Sequence, residues 1–267
     1  MKVVLIQDLI DYLHSIAPNH FQESYDNAGL IVGDAKSKVN GVIVSLDCTE
    51  EVVDEAIFLG ANVIVCHHPI VFKGLKRFNG SNYVERTVMK AIKHDVAIFA
   101  IHTNLDNVLK HGVNEMIACR LALEHLEILR PNLQMDSSGA VGAGILGNLP
   151  YDLETVAFFD ILKKVMNLKV IKHTSICHNV VKKISICGGA GSFLLTDAIK
   201  SGSQAFITSD YKYHEFFDAE NKIIIIDIGH FESERFTIDL LYTLISNNFT
   251  TFAAHMTKII TNPVKYY

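Results

Sequence analysis

The chain has 267 residues, of which 49% are hydrophobic and 20% are charged, so it is long enough for one large or two small globular domains. A formal net charge of −5 and a pI near 6.2 argue against a dedicated nucleic-acid-binding protein and favour a small-molecule partner. No apolar run approaches the roughly 18 residues that span a bilayer. Asp8 and Asp11 also interrupt the N-terminal apolar stretch too early for a signal peptide. We therefore expect a cytoplasmic protein with no membrane partner.

The cysteines give no sign of a disulfide framework or of a thiolate zinc site. Their number is odd and no pair has the CxxC spacing. We expect buried free thiols at the five positions, which are Cys48, Cys66, Cys119, Cys177 and Cys187.

In the first half of the chain, short β-rich runs alternate with amphipathic segments, which is typical of an α/β domain. The pattern predicts, in order, strand 39–47, helix 49–60, strand 61–68, helix 82–95, strand 96–106 and helix 113–126. Thr49 is predicted to cap the first of these helices, because Glu50 and Glu51 follow it and suit the positive end of the helix dipole. Gly60 is predicted to end the same helix.

A second α/β half is predicted after a connector. Residues 130–152 are rich in Gly, Pro, Ser and Asn and have no helical period. Beyond them the pattern predicts strand 181–189, helix 192–202, strand 204–210, helix 211–220, strand 223–230 and helix 231–246. The predicted organisation is a first α/β domain over residues 1–130, a connector over 131–152 and a second α/β domain over 153–267.

Polar residues collect where the predicted strands end. They are Asp47, His67 and His68, the segment from His102 to Asp106, Ser209 and Asp210, and His230. Ligands of open α/β sheets bind at the carboxyl edge of the strands, so this pattern indicates a functional site.

The adjacent histidines His67 and His68 indicate a metal site with more than one ion. Successive strand side chains point to opposite faces, so two neighbouring imidazoles suit two ions, or one ion and a supporting group, better than a single ion. His230 and Glu234 are four residues apart at a predicted helix start, and a carboxylate there can bridge ions. With Asp106, these residues form a mixed nitrogen and oxygen set that suits Zn²⁺, Fe²⁺, Mn²⁺ or Ni²⁺ better than Ca²⁺.

Each cluster alone has a simpler explanation, since a histidine at a strand end more often caps it or donates a hydrogen bond. The recurrence of three histidine and carboxylate clusters after predicted strands gives the metal site equal weight with this explanation, and the pattern alone leaves both open.

Six motifs in order resemble the Nif-three-like family, whose bacterial members are named GTP cyclohydrolase 1 type 2 homologues. The motifs are SYDNAGLIVG (24–33), HHP (67–69), HTNLD (102–106), CGGAGS (187–192), TSDYKYHEF (208–216) and DIGHFESE (227–234). The resemblance implies a Nif-three-like fold in which two α/β domains flank a metal-containing cleft, and assembly as a toroidal homohexamer. It also implies two divalent ions in each subunit.

Residue by residue, the resemblance assigns His68 and Asp106 to one ion and His67 and His230 to the other, with Glu234 as the bridge. His102 is then placed in or near the surroundings of these ligands, and we treat it as a candidate catalytic residue.

The chain departs from the family pattern in two places. Longer members carry an inserted middle domain where this chain has only the short stretch 132–143, so any function of that insert is absent. Many relatives have Trp where this chain has Tyr25. Neither departure touches a proposed ligand.

Other motifs allow two interpretations. GAGILG (142–147) has the spacing of a dinucleotide-binding loop but lacks a preceding strand and a following helix, so we predict a connector. CGGAGS is either a phosphate-binding turn, formed by Gly188, Gly189, Gly191 and Ser192, or a close-packed turn.

The remaining polar pairs are equally open. Asp210 and His214 are either a general acid or base pair or a helix cap with a surface histidine. Asp26 and Asn27 are either ordinary turn residues or face the metals.

Two functions are compatible with these residues. The first is a metal-dependent hydrolase acting on a nucleotide or phosphorylated small molecule, of which GTP cyclohydrolase-like ring opening is one form. The second is a non-enzymatic ring-shaped module that binds metal or a protein. No residue pattern identifies guanine recognition, and an open coordination position would distinguish the enzyme from the module.

Overall fold

The computed structural model describes residues 3–136, 138 and 140–267 and has mixed α/β architecture. Its first elements are α1 (Ile6–Ile16), β1 (Gly29–Val32), β2 (Gly41–Ser45), α2 (Glu50–Phe58), β3 (Val63–Cys66), α3 (Tyr83–Lys93), β4 (Ala97–Ala100), α4 (Thr103–Asp106), α5 (Val113–Arg120) and β5 (Glu124–Pro131). They are followed by β6 (Gly142–Glu154), α6 (Thr155–Met166), β7 (Lys172–His173), β8 (Val180–Ala190), α7 (Leu195–Lys200), β9 (Ala205–Ser209), β10 (Ile224–Asp227), α8 (His230–Glu234), α9 (Thr237–Asn248) and β11 (Ala253–Met256).

The chain divides into two compact units. The first contains the described residues up to Leu105 and the segment Thr237–Lys265, and the second contains Asp106–Phe236 with the last two residues. The prediction of two α/β domains is confirmed. Their boundary differs from the predicted one, because it falls after Leu105 and because α9 and β11 return to the first unit.

In the first unit, the described residues form a five-stranded sheet in the order β1-β4-β3-β2-β11. Strand β1 is antiparallel to β4, and the other neighbours are parallel. Every residue of β2, β3 and β4 is buried, as expected for parallel strands covered on both faces. The carboxyl ends of these three strands therefore meet at one edge of the sheet.

The predicted ends of α2 are confirmed. The Thr49 hydroxyl accepts a hydrogen bond from the backbone N–H of Val52 at the helix start. After the helix, Gly60 has a φ of +69°, a left-handed conformation that glycine adopts without steric strain.

In the second unit, six strands of the described chain form a sheet in the order β5-β6-β8-β9-β10-β7. Strands β8, β9 and β10 are parallel, whereas β5, β6 and β7 are antiparallel to their neighbours. A buried cluster that includes Phe158, Leu162 and Ile207 packs on this sheet.

The predicted connector is wrong in its structure, because much of residues 131–152 belongs to β6. The glycines that suggested a loop serve close packing instead. A Cβ on Gly144 would lie 2.9 Å from the carbonyl oxygen of Ile186, and one on Gly147 would lie 3.1 Å from that of Glu124. These glycines let the neighbouring strands approach β6, and they also break its hydrophobic alternation.

Several predicted helices differ from the structure. Helix α5 stops at Arg120, the predicted helix 211–220 is a 3₁₀ helix over Tyr213–Ala219, and the predicted helix 231–246 is divided into α8 and α9. Helix α1 and strand β11 were not predicted.

Of the free cysteines, three are buried as expected, but Cys119 is exposed and Cys177 is only half-buried. Among the described helices, none is both long and apolar enough to cross a membrane.

Candidate metal-binding residues

In the first unit, three histidines lie just beyond the carboxyl ends of adjacent parallel strands. His67 and His68 follow β3 directly, and His102 follows β4. The imidazole rings of His67 and His68 have centroids 4.9 Å apart, and both lie 5.2–5.4 Å from the ring of His102. One ring nitrogen from each of the three lies within 4.8 Å of the others, so the first unit contains a compact set of nitrogen donors.

The neighbouring histidines come together because the chain leaves strand geometry at this point. The backbone N–H groups of His67 and His68 both donate to the carbonyl oxygen of Leu46, at 3.1 and 3.0 Å. This turn removes the strict alternation of a strand. The expectation that the two side chains point to opposite faces is therefore relaxed.

Every ring of this set is held at Nδ1 by an acceptor within its own unit. The pairs are His67 with the carbonyl oxygen of Ile101 at 2.8 Å, His68 with Asp47 at 2.8 Å and His102 with Asp26 at 2.7 Å. A carbonyl or carboxylate oxygen accepts, so Nδ1 carries the hydrogen in each ring. Any metal bound by these side chains would therefore be taken at Nε2.

The carboxylates behind the histidines are themselves fixed. The Thr261 hydroxyl donates to Asp47, and the backbone N–H and hydroxyl of Thr103 donate to Asp26. Burial alone would raise the pKa of the Asp26 carboxyl, but the hydrogen bonds and charge of His102, with the hydrogen bonds from Thr103 and Asn27, lower that pKa to about 2. Asp26 is thus an ionised acceptor at neutral pH, and of the two interpretations of the SYDNAGL turn, its contact with His102 favours a role near the candidate ligands.

In the second unit, the start of α8 carries a histidine and a carboxylate in contact. His230 Nε2 lies 3.0 Å from Glu234 Oε2, as the spacing of four residues predicted. His230 Nδ1 lies 2.7 Å from Asp210 Oδ2, so this ring is held in the same way as those of the first unit. Glu234 is only 3% exposed, whereas His230 is partly open to solvent.

Asp210 occupies an unusual backbone conformation. It follows β9 directly and has a φ of +59°, a left-handed value that is uncommon for a residue other than glycine. Its carboxylate contacts His230, whereas the sequence left open a general acid or base role beside His214 and a helix-cap role. In this structure Asp210 holds the His230 ring at Nδ1.

The glycine-rich end of β8, where the pairing with β9 shifts register, packs directly against Glu234. Gly189 has a φ of +64°, and a Cβ there would collide with Glu234 Oε1. The backbone N–H of Gly189 donates to the Ser233 hydroxyl at 2.9 Å, and its carbonyl oxygen accepts from the Ser209 hydroxyl at 2.6 Å. The backbone is thus fixed on both sides of Gly189.

This arrangement answers the question of the CGGAGS motif. The N–H groups of Gly188 and Gly189 donate to Asn114 and Ser233, so they are engaged within the protein. Gly191 faces the side chains of Thr208 and Cys187, and the helix α7 beyond Ser192 has only six residues. The structure favours close packing over phosphate binding, with Gly188 and Gly189 in the end of β8 and not in a turn.

Asp106 ends the short helix α4 and is the first residue of the second unit. The negative charges of Asp106 and Glu234 both affect the Cys187 thiol. Burial raises the pKa of the Cys187 thiol far above its usual range, and the negative charges of these two carboxylates raise it further. The second unit therefore concentrates negative charge around this point.

A family model described as Duf34/NIF3 (NGG1p interacting factor 3) matches residues 4–263. The chain belongs to this DUF34/NIF3 family. The family resemblance of the six sequence motifs is confirmed.

Similar proteins with this fold come from several bacteria. A Clostridium perfringens protein named GTP cyclohydrolase 1 type 2 homolog is 33% identical over 230 residues, covering 86% of each chain. A Staphylococcus epidermidis protein of the same name is 24% identical across 98% of this chain and 99% of its own. That alignment spans 365 positions, against 267 residues here, so the relative is a longer member of the DUF34/NIF3 family. The crystal structure of a hypothetical Staphylococcus aureus protein is 30% identical, with a TM-score of 0.91 and full coverage of both chains.

The donors of this DUF34/NIF3 chain fit a divalent metal on chemical grounds. The imidazoles are oriented by acceptors on Nδ1, which is the arrangement that metal-bound histidines commonly show. The second unit has a mixed set of its own, in which the His230 imidazole contacts the Glu234 carboxylate, and nitrogen and oxygen donors of this kind suit first-row divalent metals.

His214 lies apart from this arrangement. It is exposed, and its ring packs beside Tyr213 and Phe217, with centroids 5.2 and 6.5 Å away. The Asp210 carboxylate, four residues before His214, contacts His230.

Several supporting residues were missed by the sequence analysis. Asp47 was placed among the polar residues where predicted strands end, but the sequence named no hydrogen-bond partner for it. No sequence pattern marks Asn114, Ser233 or Thr261 as supporting residues. They reach the candidate ligands only through contacts of the tertiary structure.

We expect the substitution Gly189→Ala to destabilise the protein more than Gly202→Ala. Both glycines have positive φ values, so each alanine adds about 1 kcal/mol or more of backbone strain. A Cβ at Gly202 meets nothing within 4 Å, whereas one at Gly189 would collide with the Glu234 carboxylate. Urea unfolding of the metal-free variants measures the difference, and equal losses of unfolding free energy would contradict the packing role of Gly189.

Proposed function

We propose that this chain binds two divalent metal ions and uses them to hydrolyse a nucleotide or another phosphorylated small molecule. The proposed ligands follow the family resemblance. His68 and Asp106 serve one ion, His67 and His230 serve the other, and Glu234 serves both.

One observation carries the proposal. The four imidazoles of the set, which are His67, His68, His102 and His230, each have Nδ1 within 2.7–2.8 Å of a fixed acceptor. A histidine that merely caps a strand needs no such support on a particular nitrogen. The recurrence in both units supports rings oriented to act at Nε2, where His67, His68 and His230 would bind the ions and His102 would lie beside them.

When bound, two such ions would lower the pKa of a coordinated water and polarise substrate oxygens. The protein side chains contribute orientation and charge. Asp47 and Asp210 hold His68 and His230, and the buried Glu234 supplies negative charge. Five protein ligands shared by two ions leave positions for water or substrate, which favours an enzyme over a closed structural centre.

His102 is the best placed side chain to move a proton. Its Nδ1 is held by the ionised Asp26, and its ring lies 5.2 Å from that of His67. We propose that it acts at Nε2 beside the ligands, with Asp26 as its positioning residue. Asp210 is assigned to positioning for the same geometric reason.

The substrate class rests on metal chemistry and on the relatives. Proteins of this family are named GTP cyclohydrolase 1 type 2 homologs. No described contact identifies a guanine-specific pocket, so we propose a phosphate-bearing substrate in general, with GTP as one member of the class.

Elemental analysis by plasma mass spectrometry tests the metal assignment. We expect near two ions per chain in wild-type protein purified without a metal-affinity tag. The double variant His67→Ala/His68→Ala should fall toward zero, and Glu234→Ala should lose at least one ion because it removes a shared ligand. The exposed pair His94→Ala/His173→Ala is the matched control and should keep both ions. Two ions retained by Glu234→Ala would disprove the ligand assignment.

Substitution with cobalt tests whether the centre is open. We expect inorganic phosphate and GTP to change the visible spectrum of the cobalt protein, since a catalytic centre keeps a coordination position for substrate. An unchanged spectrum would support the closed, non-enzymatic centre instead.

Phosphate release or ring opening can then be screened over nucleotides, and His214→Ala should keep both ions. A loss of turnover in that variant would assign proton transfer to His214 rather than to His102.

We further propose that the chain assembles as a homohexamer, as the family resemblance implies. Light scattering on purified protein should give the mass of six copies of the 29.7 kDa chain, and the mass of one copy would refute the assembly.

A further inference from the structure

Asn114 connects two parts of the second unit that are far apart in sequence. It lies near the start of α5 and is only 1% exposed. Its Nδ2 donates to the carbonyl oxygen of Asp106 at 3.0 Å, and its Oδ1 accepts from the backbone N–H of Gly188 at 2.8 Å. A single buried amide therefore joins the backbone at Asp106 to the last residues of β8.

Gly188 and Gly189, at the end of β8, form the surface against which Glu234 packs. A Cβ at Gly188 would lie 3.6 Å from Glu234 Cγ, and one at Gly189 would collide with Glu234 Oε1. The N–H of Gly189 also donates to Ser233, the residue before Glu234. A shift of this end of β8 would therefore shift the Glu234 carboxylate.

We propose that Asn114 is a positioning residue that sets the placement of the Asp106 and Glu234 carboxylates relative to each other. This inference rests on the proposed function. A carboxylate oxygen of Asp106 and one of Glu234 lie within 4.8 Å of each other, although α4 and α8 are more than a hundred residues apart in sequence. Like charges at this distance repel. Through its amide, Asn114 fixes the backbone of Asp106 and the end of β8 against which Glu234 packs, before an ion binds.

The amide group is suited to this task because it supplies a donor and an acceptor in one rigid plane. Leucine has a similar volume but neither group, so Asn114→Leu removes both hydrogen bonds with little change in packing. Serine keeps one polar atom in a shorter side chain that cannot reach both backbone partners.

The matched control is Ser185→Ala. Ser185 is fully buried in β8, as Asn114 is buried against it, and its hydroxyl bonds that of Ser203 at 2.6 Å. The Ser185 hydroxyl makes no hydrogen bond to Asp106, Glu234, Gly188 or Gly189. It therefore reports the effect of a lost buried hydrogen bond in the same unit without loss of carboxylate positioning.

The experiment measures Zn²⁺ affinity by chelator competition on metal-free protein, together with the rise in Tm on adding Zn²⁺. We expect Asn114→Leu to bind Zn²⁺ 10-fold to 100-fold more weakly than wild type, the range typical for residues that support metal ligands. Its Zn²⁺-induced rise in Tm should shrink accordingly. Ser185→Ala should lower the Tm of the metal-free protein but keep the wild-type Zn²⁺ affinity.

Three outcomes are decisive. Zn²⁺ binding by wild type with unchanged affinity in Asn114→Leu would overturn this inference alone. A loss of affinity in Ser185→Ala equal to that in Asn114→Leu would also overturn it, since general destabilisation would then explain both. Absence of Zn²⁺ binding by wild type would overturn the proposed function as well. If Asn114→Leu fails to fold, Asn114→Ser provides the same comparison.

Discussion

A hydrogen bond at Nδ1 determines which nitrogen of an imidazole is presented to a metal, and the candidate ligands of this protein depend on that constraint. Three of the four acceptors follow strands: Asp47 and Ile101 follow β2 and β4 of the first sheet, and Asp210 follows β9 of the second. The fourth acceptor, Asp26, lies before β1 and is fixed by hydrogen bonds from Thr103. Adjacent parallel strands bring their carboxyl ends to one edge, so His67, His68 and His230 each meet an acceptor that follows a neighbouring strand. Each unit uses this device with its own strands.

Two residues beside His230 and Glu234 have left-handed backbone conformations. Asp210 has a left-handed backbone at the point where its carboxylate contacts His230. Gly189 is also left-handed, and its missing side chain admits the Glu234 carboxylate. Such conformations cost about 1–3 kcal/mol at a residue other than glycine, and they persist only where surrounding contacts enforce them. Here the hydroxyls of Ser209 and Ser233 hold the peptide of Gly189 in place.

The sequence predicted the parts of the fold that depend on local pattern. Strands β2 to β4 are short, mostly apolar runs, and the histidines after β3 and β4 were assigned correctly to strand ends. Strand β6 was missed because its glycines serve neighbours elsewhere in the chain, and no local pattern separates that use from a loop. Pairing of β11 with β2 joins residues more than 200 positions apart, so it has no local signature at all.

The candidate site divides in the same manner. The histidines and carboxylates carry short spacings that the family motifs preserve, so these residues could be named from sequence. Their supports could not, because Asn114 and Thr261 become relevant only through contacts of tertiary structure. The CGGAGS motif shows the limit most clearly. Glycines that bind an anion and glycines that make room for a carboxylate give the same sequence pattern. Only the hydrogen-bond partners of their N–H groups distinguish the two uses.

The two units also differ in the charge they contribute. The first presents imidazoles that are neutral when they bind a metal, and its carboxylates Asp26 and Asp47 stand behind those rings as hydrogen-bond acceptors. The second presents Asp106 and Glu234, whose negative charge acts directly on the neighbouring Cys187 thiol. Under the proposed function, the imidazoles therefore select for metals that accept nitrogen, whereas the carboxylates supply most of the Coulomb attraction for a dication. Small displacements of the carboxylates should then change the metal affinity more than displacements of a single ring. The buried amide of Asn114 limits such displacements, because it holds the backbone of Asp106 and the strand end on which Glu234 packs.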